Sequence, residues 1–184
     1  MMKKHSRLKR LVGRIGFRLA KLPLYCLAML NQHRLYMRFY VRLLRAQGMK
    51  LNGTPRYIGA TTYFDDLDHV ELGDRVVISD DVIFLTHDYS ATTALLATGA
   101  VLKSDIALVR GISLGRNVFI GKRSIIMPNT QIGDNVVVGA GSVVRGKVPS
   151  DSVLIGNPAK IIFTIQEYAE RCQRSLDSGL GRLD

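Results

Sequence analysis

Four histidines and a small group of aspartates are the residues of this chain best equipped to move a proton. His87 stands in the run Leu85-Thr86-His87-Asp88-Tyr89-Ser90, with Asp65, Asp66 and Asp68 upstream of it. An imidazole titrates near neutral pH, so it can take a proton from a weak nucleophile such as a hydroxyl as attack develops. From the residues alone, His87 is open between that role and an ordinary structural histidine. Asp88 points to the opposite face from His87 if the chain is extended, so pairing the two requires a turn between them. Asp65, Asp66 and Asp68 are better placed to orient His87 or to hold an acceptor, and they read equally well as polar turn residues. His69 and His87 are eighteen residues apart, but His5 and His33 lie in the N-terminal segment. A catalytic zinc site needs a third protein ligand, so no metal is expected. Cys26 and Cys172 are too few and too far apart for a disulfide framework and read as reduced thiols. No serine or cysteine nucleophile stands out.

The elements that must position these groups follow from a six-residue repeat. Between Leu108 and Val148 the hexads begin at Leu108, Leu114, Ile120, Ile126, Ile132, Val138 and Val144, all aliphatic. Their fifth places are Ile112, Val118, Ser124, Thr130, Val136, Ser142 and Val148, all small or β-branched. The same register recurs upstream at Leu72, Ile78 and Phe84, with Val76 and Val82 at fifth places. A period of six fits neither a 3.6-residue helix nor hairpin spacing, and it does fit short strands joined by tight turns. Glycines at 115, 121, 133 and 139 are expected to supply the turn angles. Coils of this kind bury a narrow aliphatic core only by stacking. Between Phe84 and Leu108 the repeat is interrupted by a polar, irregular segment. A loop thrown out of a rigid scaffold is a natural place for a site, and His87 stands at its root.

The run from Val118 to Val144, which includes Ile120-Gly121-Lys122 and Gly139-Ala140-Gly141, is followed by the closing Gly156-Asn157-Pro158-Ala159-Lys160. Together they resemble the hexapeptide-repeat acyltransferases, nearest the branch with the maltose, galactoside and capsular-polysaccharide O-acetyltransferases. The resemblance covers roughly residues 56–163. It implies a left-handed parallel β-helix of three hexads per coil, assembled as a homotrimer with active sites between subunits. It also implies His87 as a general base that activates a saccharide hydroxyl for direct attack on acetyl-CoA. Backbone N–H groups of neighbouring coils would hold the oxyanion. Matching by motif carries over Lys122, Ala140, Arg145 and Lys160 as acetyl-CoA-binding residues, and Asp65 and Asp88 stand as candidates on the acceptor side. Phe119 stands where relatives commonly have tryptophan, Arg110 where they have proline, and Gly59-Ala60-Thr61-Thr62 offers no asparagine. The zinc-dependent γ-class carbonic anhydrases share such a helix, but their third histidine has no counterpart here. N-acetylation of an amino sugar and a non-catalytic β-helical scaffold remain the rival readings.

The charge lies outside this domain. Residues 1–50 hold thirteen Lys or Arg and no acid, while the rest is near neutral, within a net charge of +11. Two helical stretches are expected there, separated by a break at Pro23. Arg7, Arg10, Arg14, Arg18 and Lys21 line the first, and Arg34, Arg38, Arg42 and Arg45 line the second. The apolar run Leu22–Leu30 lacks a small-residue cleavage site, so a signal peptide is disfavoured. No run of eighteen apolar residues lacks a charge, which argues against a spanning helix. Residues 1–45 read either as a basic surface for an anionic membrane or as a helical pair packed on the domain or on a neighbouring subunit, its arginines solvated. Nucleic acid is disfavoured, since no reader motif accompanies the charge. The whole is a mainly β chain: a basic helical segment at 1–50, the β-helix at 51–163 with its loop at 86–107, and a C-terminal helix and tail at 164–184. The tail helix, Ile165 to Leu176, is expected to cover the last coil with Tyr168, Ala169 and Cys172. A cytoplasmic setting is expected, peripheral on the inner face of the membrane if the basic segment engages it.

Overall fold

The computed structural model describes residue 16 and residues 19–180. Its centre is a parallel β-helix whose short strands stack into three sheets, one per face of each coil. The first face runs through Lys50–Asn52, Val70–Gly73, Ile112–Leu114, Gln131–Ile132 and Lys147–Val148. The second runs through Tyr57–Ile58, Val77–Ile78, Phe119–Ile120, Val137–Val138 and Ser152–Gly156. The third runs through Tyr63–Phe64, Ile83–Phe84, Ile125–Ile126 and Val143–Val144.

The hexad starts become columns along the axis. Ile58, Ile78, Ile120, Val138 and Leu154 lie in register on the second face, and Phe64, Phe84, Ile126 and Val144 on the third. Nearly all of them are buried, and the Phe64 and Phe84 rings stack at 4.8 Å. The fifth places are buried too, and their hydroxyls are satisfied by backbone: Thr130 donates to Met127 O at 2.7 Å, and Ser142 to Gly139 O at 2.6 Å. Leu108 departs from the expected register. It pairs antiparallel with Asp88 at the base of the loop, so the regular repeat resumes only at Ile112.

The turns use other residues than expected. Left-handed backbone falls at Arg75, Asp81, Asn117, Arg123, Asn129 and Asn135, six apart on either side of the loop, and then at Gly141. Polar side chains, chiefly Asn and Asp, carry most of this conformation. Gly121 is needed for space instead: a Cβ there would lie 2.5 Å from Ala140 N on the next coil. Glycine therefore marks close coil-to-coil approach more than turn angle.

Two helices close the N-terminal end. The first, α1, is described over residues 19–29 and passes through Pro23 without a break. The chain turns instead at residues 30–32, where Asn31 has φ +59°. The helix α2, His33–Ala46, lays Tyr36, Met37, Tyr40, Val41 and Leu44 on the first coil, continuous with the β-helix core. Tyr36 Oη donates to Ile58 O at 2.6 Å. The expected basic stripe at Arg7, Arg10, Arg14 and Arg18 lies outside the described residues. A short helix, α3 (Ser90–Ala97), sits in the inserted loop. At the far end the strand Ala159–Thr164 folds back on Ser152–Gly156, and α4 (Ile165–Asp177) follows a Thr164–Glu167 capping box. The C-terminal helix forms where the sequence places it, but it buries none of its residues, so it does not seal the last coil.

Candidate active site

His87 enters the site because the repeat is broken at one corner. Coil-to-coil spacing on the third face is eighteen residues from Ile125 to Val143, but forty-two from Ile83 to Ile125. The insertion leaves after Phe84 and returns through an antiparallel ladder, His87–Asp88 against Leu108–Val109. Leu85 still bonds to Ile126 O, so the coil keeps its geometry up to the residue pair that launches the loop. Thr86 is wholly buried and fastens that launch point to the preceding coil. Its backbone N–H donates to Asp65 Oδ2 at 3.0 Å, and its hydroxyl to Asp66 Oδ2 at 3.2 Å.

The same two carboxylates face the imidazole. His87 Nε2 lies 2.8 Å from Asp66 Oδ2, and Nδ1 lies 3.8 Å from Asp65 Oδ2. All three side chains are between 16 and 26% exposed, so the group is shielded yet reachable. With Nε2–H donated to Asp66, the lone pair resides on Nδ1, which is the atom left to accept a proton. Asp66 fixes the ring and faces the positive charge that would form on it. Asp65 lies nearby but has its carboxylate committed to the Thr86 backbone, so Asp66 is the direct partner.

Asp88 turns away from His87. Its carboxylate accepts the hydroxyl and the backbone N–H of Ser90, which hold its pKa below the usual carboxylate range, with Arg110 and Arg145 adding to the effect. This is a local turn that opens α3 and gives Asp88 a structural task. His69 pairs with its neighbour Asp68 at 2.9 Å. Among the described residues no group of three or more His, Cys, Asp or Glu is placed to hold a metal ion.

The four cofactor candidates divide between the two edges of the third face. Lys122 and Ala140 stack on successive coils at the edge before it, where Gly141 N donates to Lys122 O at 2.8 Å. The Gly156–Ala159 hairpin follows on the same edge, tied down by Gly156 N donating to the Ser142 hydroxyl, and Lys160 stands beside it opposite Ile155. Lys122 Nζ is 3.8 Å from Asp81, an exposed pair that an incoming anion could displace. Arg145 lies on the other edge, two coil steps beyond His87 on the same corner, or roughly 10 Å at ordinary strand spacing. Between the edges runs an outward apolar column of Tyr63, Ile83, Ile125 and Val143.

Comparison with known proteins accords with this geometry. The family model for the bacterial transferase hexapeptide (six repeats) matches residues 111–146. No curated protein matches the sequence. A maltose O-acetyltransferase from Clostridium difficile 630 superposes with a TM-score of 0.54 at 26% identity, over 69% of this chain and 75% of that one. A galactoside acetyltransferase in complex with coenzyme A gives 0.58 at 22% identity, over 72% and 73%. A hexapeptide-repeat acetyltransferase from Vibrio cholerae O1 biovar eltor, complexed with acetyl coenzyme A, gives 0.50 at 21%, over 67% and 75%. The chain is thus a left-handed β-helix that carries the bacterial hexapeptide transferase repeat at residues 111–146 and shares its fold with acetyltransferases of that repeat.

Proposed function

We propose that this protein is an O-acetyltransferase that moves the acetyl group of acetyl-CoA to a sugar hydroxyl, with His87 as general base. The observation that carries the reading is the Asp66–His87 pair at the root of the inserted loop, on a fold shared with a maltose O-acetyltransferase. His87 Nδ1 takes the hydroxyl proton as the oxygen attacks the thioester carbon. The tetrahedral oxyanion collapses, the C–S bond breaks, and the proton passes from His87 to the departing thiolate. Asp66 acts through His87 as a positioning residue. Lys122, Ala140, Arg145 and Lys160 border the outward column of the third face and are the groups for the pantetheine arm and nucleotide phosphates. Asp65 is occupied by the Thr86 backbone of the next coil and Asp88 by Ser90, which favours Asp65 as a second-rank acceptor contact and Asp88 as a loop-shaping residue.

The active unit is proposed to be a homotrimer. The outward columns of the second and third faces, Tyr57-Val77-Phe119-Val137 and Tyr63-Ile83-Ile125-Val143, are apolar. The first face presents Lys50, Glu71, Ser113, Gln131 and Lys147 instead, so two faces suit subunit packing and one suits water. We place the enzyme in the cytoplasm, where its two unpaired, exposed cysteines stay reduced, acting on a saccharide presented at the membrane. The basic N-terminal residues support that placement, and no described helix is long and apolar enough to cross a bilayer. Calorimetry with acetyl-CoA tests the central reading without any choice of acceptor. Saturable binding near one site per chain is expected. No binding at millimolar acetyl-CoA by folded protein overturns it and leaves a non-catalytic scaffold.

A further inference from the structure

The angular layout of α2 divides into three sectors. Tyr36, Tyr40, Leu44, Met37 and Val41 face the β-helix and are buried. Arg34, Arg38, Arg42 and Arg45 form a continuous stripe beside Met37 and Val41, at spacings of four, four and three. Leu35 and Phe39 flank the other side of that stripe, 43% and 48% exposed. Where the stripe meets the first coil it bounds a groove of about 520 Å³, floored by Met37 and Val41 and closed by Thr54, Pro55 and Arg56.

Among the described residues, five guanidinium groups line this groove and no carboxylate does. Among the described residues none of Arg34, Arg38, Arg42 or Arg56 ion-pairs with an acid, while Arg45 Nη2 is spent on Gly53 O at 3.1 Å. Like charges at helical spacings of three and four repel, so the stripe costs stability until an anion neutralises it. Guanidinium forks match phosphate oxygens in shape as well as charge. The apolar floor suits the stem of a phosphate ester, and the exposed Leu35 and Phe39 suit the acyl boundary of a bilayer.

We propose that the groove between α2 and the first coil is a binding site for the phosphate of an anionic membrane lipid headgroup. Arg34, Arg38, Arg42 and Arg56 hold the phosphate, and Leu35 and Phe39 enter the interface beside it. This deepens the membrane placement given above, replacing a diffuse basic segment by a built site whose position is fixed by core packing. Because Tyr36, Tyr40 and Leu44 belong to the core, truncation at residue 45 would remove fold and site together. Charge substitution is the suitable test.

Full-length protein is sedimented with phosphatidylcholine vesicles and with vesicles that also contain phosphatidylglycerol. The triple variant Arg34→Gln/Arg38→Gln/Arg42→Gln is compared with Arg7→Gln/Arg10→Gln/Arg14→Gln, which removes the same charge elsewhere, and thermal melts confirm that both fold. The groove variant is expected to lose about a hundredfold in affinity for the anionic vesicles, at roughly 1 kcal/mol per arginine, and the control only a few-fold. Equal losses overturn the groove while leaving the membrane placement standing. Absence of wild-type binding to anionic vesicles overturns both. Calorimetric binding of glycerol phosphate or inorganic phosphate without any vesicle binding overturns the lipid assignment. None of these outcomes depends on acetyl-CoA, so the acetyl-transfer reading is tested separately.

Discussion

The interior of the coils and the corner that carries His87 are built from the same repeat and put it to opposite uses. Inside, each regular hexad contributes one large apolar side chain to a column, the columns are in register, and the buried hydroxyls of Ser124, Thr130 and Ser142 end on backbone carbonyls. At the corner after Phe84, the register is abandoned for a loop. The polar groups of Asp65, Asp66, Thr86 and His87 then bind one another across adjacent coils. The regular stack supplies rigidity, and the irregularity supplies a partly exposed imidazole whose orientation is fixed. A site of this kind needs both parts, because a base held loosely loses the geometry that proton transfer demands.

The largest expected effect tests the interior. Phe84→Ala removes a fully buried ring stacked on Phe64 and should destabilise by about 3–5 kcal/mol in chemical denaturation. Val101→Ala in the loop, 97% exposed, should stay within about 0.5 kcal/mol. Comparable losses from the two would break the contrast between stack and loop.

The next effect sharpens the corner. Asp66→Asn should leave the melting temperature and the KM for acetyl-CoA nearly unchanged while kcat falls roughly 10- to 100-fold, because the amide cannot balance an imidazolium. Asp65→Asn should cost less, since its carboxylate serves the Thr86 backbone first. A reversed order would make Asp65 the positioning residue.

A smaller effect concerns the N-terminal cap. Lys21 is packed over the Tyr40 ring, and burial pulls its ammonium down to about 8. The unfolded chain keeps that proton into the ordinary lysine range, so between about pH 8 and 10 the unfolded state binds more protons. This group's contribution therefore makes stability rise with pH across that window, with the full penalty below it. Lys21→Met should raise stability at pH 7 by about 1 kcal/mol, after allowing for partial solvent screening, and flatten the rise. Tyr40→Phe, which deletes a buried hydroxyl with no hydrogen-bond partner among the described residues, should be neutral or stabilising by up to about 1 kcal/mol in the same melts.

The contrast also explains what the sequence disclosed. Columns repeat, so Leu72, Ile78, Phe84 and their downstream counterparts could be read directly as core, and the interruption after Phe84 could be read as the exit of a loop. The turn residues differ from the expected glycines because glycine serves two needs. Asn117, Arg123, Asn129 and Asn135 take the left-handed angles, while Gly121 admits the next coil's backbone. Leu108 matched the period by residue type but lies in the loop's returning strand, since an aliphatic side chain suits either place. Pro23 sits inside α1 without interrupting it, and the turn falls at Asn31. The partner of His87 is a tertiary fact. Which of two adjacent aspartates meets a ring from the next coil depends on a few ångströms of backbone that no pattern encodes.

His87 as the base for acetyl transfer is the central assignment. The direct measurement is CoA release from acetyl-CoA over a panel of saccharide acceptors, for the wild type and His87→Ala, with acetyl-CoA isotherms for both. The wild type should turn over at least one acceptor, while His87→Ala should bind acetyl-CoA equally well and transfer about a thousandfold more slowly. A His87→Ala variant with wild-type turnover would contradict the assignment of the corner as the catalytic centre.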